Sequence, residues 1–202
     1  MLAARFAEFL YTITSFGDAN LIAPPVCGAI AALWALGERR NARALAIAFA
    51  LCLAATVLSK ILFMFVYRGG PLRSPSGHTA LAAFVYGSLA VVAWKRESLG
   101  ALRYVIAALC AAIVLGVAVS RFEIGGHSRT ETAFGLVYGV GAVAFLARRF
   151  AWRPLPQTSI ALSTVAGLVV TLAAYLVLSS GYFDEEAIAG FTDWLKGLAL
   201  RA

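Results

Sequence analysis

The sequence predicts an all-α integral membrane protein, a six-transmembrane-helix bundle with an amphipathic N-terminal helix. Three observations carry that expectation. Of 202 residues, 61% are hydrophobic and only 13% charged, and the mean hydropathy is +0.84. A water-soluble fold of this composition lacks the residues to build a polar surface. Apolar stretches recur near the ~20 residues that a helix needs to cross a bilayer. The charges fall in short clusters between those stretches, as loop charges of membrane proteins do.

In chain order, the opening segment MLAARFAEFLYTITSFGDAN reads as a helix at the membrane interface rather than a signal peptide. Its start is barely basic and Glu8 interrupts the apolar run, while Phe6, Phe9, Leu10 and Ile13 supply an apolar side. Six apolar stretches follow, at approximately 20–36, 42–67, 78–94, 101–119, 130–147 and 158–179. The first contains Pro24-Pro25, tolerable in a spanning helix when neighbouring helices satisfy the freed carbonyls. No repeat, linker or low-complexity segment divides the chain, so residues 1–202 are expected to form a single domain. Cys27, Cys52 and Cys110 lie in apolar runs without metal-ligand spacing and read as free, buried thiols.

The net charge of +7 does not imply nucleic-acid binding, because the basic residues form neither a stripe nor a tail. Their distribution sets an orientation instead. With both termini outside, Arg39, Arg40, Arg43, Lys95, Arg96, Arg103, Arg148, Arg149 and Arg153 lie in inside loops, and Arg5, Lys196 and Arg201 at the outside ends. The acidic stretch Asp184-Glu185-Glu186 also falls outside. The remaining cations, Lys60, Arg68, Arg73, Arg121 and Arg129, gather around two outside loops, against the positive-inside trend. Cations held where topology disfavours them point to another task.

The chain has two histidines, and both sit in those loops. His78 lies in Ser74-Pro75-Ser76-Gly77-His78-Thr79, just before an apolar helix. Ser76 is a natural N-cap, Gly77 permits close approach of a ligand to the backbone, and the helix start offers an anion site. His127 lies in Ser120-Arg121-Phe122-Glu123-Ile124-Gly125-Gly126-His127-Ser128-Arg129-Thr130-Glu131. A helix beginning near His127 would put His127 and Glu131, four apart, on one face. Glu131 could then fix the imidazole tautomer and leave the other nitrogen as a nucleophile. A phosphoryl group in transfer needs donors aimed at its equatorial oxygens. Lys60, Arg68 or Arg73, Arg121 and the backbone at Ser76, Gly77 and His78 supply such a set, with His78 as general acid and then base.

At these residues the chain resembles the type-2 phosphatidic acid phosphatase family, which shares its site with vanadium haloperoxidases and bacterial acid phosphatases. Pro75-Ser76-Gly77-His78 matches the family's second motif in full, and Ser120, Arg121 and His127 match the third at the family's spacing. Glu131 stands where Asp is usual. In the first motif Lys60 is followed by Arg68 one residue later than the family's spacing, then by Gly69 instead of Pro, and Arg73 competes for the same role. The resemblance implies metal-independent hydrolysis without a cofactor, with a phosphohistidine intermediate. No carboxylate cluster in the sequence suggests a magnesium site.

The short loops leave little room for a lid or soluble substrate domain, which favours a lipid-borne phosphate reached at the outer boundary of the cell (inner) membrane, on its periplasmic or extracellular side. The candidates are an isoprenyl diphosphate, phosphatidic acid, phosphatidylglycerol phosphate and a lipid A phosphate. The same site could pass its phosphoryl group to a second lipid. A haloperoxidase fits a membrane-embedded chain poorly, and a transporter would need polar residues deep in several helices, where Lys60 stands almost alone. An inactive lipid-binding relative is the remaining alternative.

Plainer readings stand beside these. Ser76-Gly77 alone is a capped helix start, Gly125-Gly126 alone a turn, and Lys60 a side chain able to snorkel to the interface. Arg129 and Glu123 read as surface residues. Gly135 and Gly139, with Gly141, read as close helix packing. Trp34, Trp94, Trp152, Tyr67 and Tyr104 read as interface anchors.

Overall fold

The structure, a computed structural model, describes residues 2–66, 74–151 and 194. Among these residues there are helices and no strands. The elements are α1 (Leu2–Ser15), α2 (Ala19–Ala35), α3 (Arg39–Val66), α4 (Gly77–Lys95), a short 3-10 turn (Glu97–Leu99), α5 (Leu102–Glu123) and α6 (Arg129–Arg149). Five helical stretches are long and apolar enough to cross a membrane: Arg5–Ala35, Arg39–Val66, Gly77–Lys95, Leu102–Glu123 and Arg129–Arg149. They correspond to the first five expected spans. The sixth, at 158–179, lies outside the described residues.

Helix α4 is the hub. It packs on α5 and α6, α6 also packs on α3, and α2 lies against α3. The first half of α4, from Thr79 to Phe84, is buried at every position, as a helix surrounded by others must be. Its small residues let the neighbours approach closely, and the glycines of α6 answer them. A Cβ on Gly135 would run into the Ser76 carbonyl oxygen, and one on Gly139 into that of Ala80. The Gly135–Gly139 pair is therefore the packing stripe expected, whereas Gly141 faces open space. The core continues into α2 and α3 through Ile22, Val26, Ala48 and Cys52, with Phe49 stacked on Phe84 at 5.7 Å between centroids.

Outward-facing positions are equally apolar. Leu58, Leu62, Leu109, Leu115, Val137 and Val140 are all exposed. At the end where α2 finishes and α3 begins, Arg39 and Arg43 lie over the exposed Trp34 ring, and Trp94 meets Tyr104 edge to face. There the buried Asn41 ties α3 to the end of α6. Its amide donates to the Ala151 carbonyl at 3.1 Å, and its carbonyl accepts from the Ala151 N–H at 2.7 Å. Tyr67 and Trp152 lie outside the described residues.

Phe6, Phe9, Leu10 and Ile13 share one side of α1, as expected, but that side is only partly covered. The helix packs on α5, burying Leu10 and Thr14, which are four apart on one face, while Phe6 and Phe9 point outward. The long apolar stretch Arg5–Ala35 is also broken at Phe16-Gly17-Asp18, where the backbone tightens to i→i−3 hydrogen bonds. The cysteines are free, as expected, but only Cys52 and Cys110 are buried and Cys27 is exposed on the outer face of α2.

Candidate active site

The first part of the site is the start of α4. Ser76 is its N-cap and is fully buried. Its hydroxyl accepts from the Thr79 N–H at 3.4 Å and from the Thr79 hydroxyl at 3.0 Å. Gly77 and His78 thus occupy the first turn, where amides point out of the helix end and the dipole favours an anion. The Ser76 N–H donates to the Glu131 carbonyl at 3.0 Å, which fastens this start to α6.

The second part is the turn from α5 to α6. Arg121 lies in the last turn of α5. Gly125 reverses the chain at φ +80°, a conformation that costs other residues roughly 1–2 kcal/mol. The His127 N–H then donates back to the Arg121 carbonyl at 3.1 Å. A Cβ on Gly126 would stand 3.0 Å from a guanidinium nitrogen of Arg121, so this glycine makes room for the Arg121 side chain. Among the described residues, the buried Arg121 Nε has no hydrogen-bond partner.

Helix α6 begins at Arg129, later than a helix face shared by His127 and Glu131 requires. Ser128 is the N-cap, and its hydroxyl accepts from the Glu131 N–H at 3.3 Å. The Glu131 carboxylate reaches back to accept from the Ser128 N–H at 2.7 Å, completing a capping box. His127 therefore precedes the helix, and Glu131 reaches it by turning back over the helix start. Glu131 Oε2 lies 3.5 Å from His127 Nδ1, and both side chains are buried. Oε1 accepts from the Ser74 N–H at 2.7 Å. One carboxylate thus joins the segment before α4, the start of α6 and the imidazole. A carboxylate beside Nδ1 favours the proton there and leaves the lone pair on Nε2.

Lys60 is buried on α3, one turn beyond Thr56, whose methyl group lies 3.7 Å from where a Cβ on Gly77 would be. Arg68 and Arg73 lie outside the described residues. Ser120 is fully buried and donates to the Val117 carbonyl of its own helix at 2.8 Å. Glu123 is exposed, and so is Arg129, which lies over the Phe122 ring at 5.6 Å. Among the described residues no three His, Cys, Asp or Glu side chains gather as a metal-ligand set.

The junction of α1 and α2 adds residues that the motifs did not indicate. Asp18 caps α2, its Oδ1 accepting from the Asn20 N–H at 2.7 Å, while its Oδ2 lies 3.8 Å from His78 Nε2. A Cβ on Gly17 would lie 2.6 Å from the His78 carbonyl oxygen, so the two backbones are in close contact. Gly-Asp before an apolar stretch signals a helix start. Nothing local signals the approach to a histidine in another helix. Ser128-x-x-Glu131, by contrast, is a capping-box pattern readable in the sequence.

No curated protein and no solved structure matches the chain. The model of the PAP2 superfamily matches residues 61–155, which contain His78, Arg121, His127 and Glu131. This similarity supports a phosphoester hydrolase, since the superfamily generally comprises phosphatases. Through the segment 61–155 the chain is similar to the PAP2 superfamily.

Proposed function

We propose that this protein is an integral membrane phosphatase that hydrolyses a lipid-linked phosphate or diphosphate through a phosphohistidine on His127. The observation that carries the reading is the placement of Glu131, with one oxygen at His127 Nδ1 and the other on the Ser74 N–H just before the start of α4. Nucleophile and anion-binding helix end are thereby held together by one side chain.

In the proposed reaction His127 Nε2 attacks phosphorus as the ester P–O bond breaks. His78 gives its proton to the leaving oxygen, and Glu131 balances the charge that develops on the His127 ring. Water then attacks the phosphohistidine, His78 takes the water's proton, and the P–N bond breaks to release phosphate and restore His127. Arg121, Lys60 and the backbone at Ser76 and Gly77 face the equatorial oxygens, with Arg68 or Arg73 completing the set. The chain supplies these groups without a metal or cofactor. In this reading the sixth apolar stretch completes a six-helix bundle with both termini outside. The site lies at the outer boundary of the cell membrane, where the lipid's tails stay in the bilayer.

The apolar outward faces and the short loops between helices support a lipid substrate over a soluble phosphomonoester. The test is phosphate release from a panel of lipid phosphates and diphosphates, with and without chelator, alongside acid-quench trapping of labelled protein. Label on the parent and none on His127→Ala is the expected result. Unchanged phosphate release by His127→Ala would overturn the mechanism. Transfer of label to an added lipid alcohol in preference to water would make the protein a phosphotransferase.

A further inference from the structure

We infer that Asp18, at the junction of α1 and α2, is a positioning residue for His78, holding its imidazole charged and oriented for proton delivery. The inference rests on the proposed acid role of His78 and extends it beyond the matched family segment, since Asp18 precedes residue 61.

The geometry divides the two oxygens of Asp18. Oδ1 is taken by the Asn20 N–H at 2.7 Å, which fixes the carboxylate, and Oδ2 is left facing His78 Nε2 at 3.8 Å. The approach is enforced by the backbone, because Gly17 sits against the His78 main chain with no room for a Cβ. Among the described residues, the charged groups on the other elements at this end are Lys60 on α3, Arg121 and the exposed Glu123 on α5, and the exposed Arg129 and the buried Glu131 on α6. Glu131 is engaged by Ser74, Ser128 and His127. A carboxylate at the range of Asp18 Oδ2 favours the imidazolium. With Nε2 turned to Asp18, the proton delivered to the leaving oxygen is the one on Nδ1. The arrangement mirrors His127, where the carboxylate holds Nδ1 and Nε2 reacts.

Asp18→Asn separates this role from helix capping, because Asn caps a helix as well as Asp but carries no charge. Asp18→Ser repeats the test with a different cap. With only two histidines in the chain, ring-labelled histidine gives two NMR resonances in detergent, and His78→Gln identifies which is which. Asp18→Asn and Asp18→Ser are expected to move the His78 midpoint about one pH unit lower and leave that of His127 in place. The alkaline limb of kcat on a hydrolysed lipid phosphate should move the same way, with kcat down about tenfold and KM within twofold. An unmoved His78 midpoint in both folded variants would overturn the inference. The NMR titration reads the Asp18–His78 pairing even where no lipid phosphate is hydrolysed, so failure of the proposed function shows separately.

Discussion

Replacing Glu131 by Gln tests whether one buried carboxylate supports both the fold and the chemistry. The side chain is isosteric, so packing is kept and only charge and one acceptor are lost. In the parent, two backbone N–H groups donate to Glu131 at 2.7 Å, and the side chain is 5% exposed. A Gln can offer its one oxygen to Ser74 or to Ser128, and its NH2 then confronts the other N–H. A charge-assisted hydrogen bond contributes about 1.5–3 kcal/mol, and an orphaned buried donor costs about 1–3 kcal/mol, so the combined loss is about 2.5–6 kcal/mol. The catalytic loss should be larger. Without the carboxylate the His127 tautomer is no longer fixed, and the comparable change in a serine-protease triad lowers kcat by about 10⁴. Thermal unfolding in detergent measures the first quantity, and phosphate release at saturating lipid the second. A folded Glu131→Gln protein with kcat within about threefold of the parent would refute the orienting role, and an unchanged melting temperature would refute the tethering role.

Other outcomes follow from the same contacts. Gly135→Ala and Gly139→Ala drive a methyl group into the α4 backbone and should each cost at least about 1–3 kcal/mol, while Gly141→Ala, facing open space, should melt with the parent. Gly126→Ala meets only the movable end of Arg121, so the protein should fold normally while KM rises or kcat falls by about tenfold, measurable by lipid phosphate hydrolysis. Asn41→Ala removes both hydrogen bonds to Ala151 at the opposite end and should lower stability by about 1–3 kcal/mol with kcat unchanged, which heat denaturation and turnover together would show.

What could be read from the sequence was local. Ser76 before an apolar run announced a capped helix, and the structure has that cap. The glycine spacing in α6 announced close packing but not that α4 is the partner. The expected span 130–147 matches α6, but His127 and Glu131 meet outside a shared helix face, because Glu131 serves two patterns at once. It stands four residues after His127, as on a helix face, and three after Ser128, as in a capping box. The box prevails because it satisfies both the Ser128 and Glu131 backbone donors, which a helix begun earlier would leave to other partners. The contacts that close the site join residues far apart in the chain, Ser74 with Glu131 and Asp18 with His78. Such pairings depend on how helices pack and leave no periodic trace. The split fate of α1's apolar residues has the same origin, since docking on α5 decides which face is covered.

Helix α6 is pinned at both ends, by Glu131 to Ser74 at one and through Ala151 to Asn41 at the other. A rod fixed at two points neither slides along its axis nor rotates about it. A bundle placed in a bilayer thicker or thinner than itself adapts chiefly by tilting. If the bundle lies in a bilayer, α3, α4 and α6 would tilt together with the two histidines, and the α1–α2 junction would follow, since Gly17 abuts the His78 main chain. In the proposed reading, the distance between His127 and the start of α4 would then depend little on the thickness of the lipid around it.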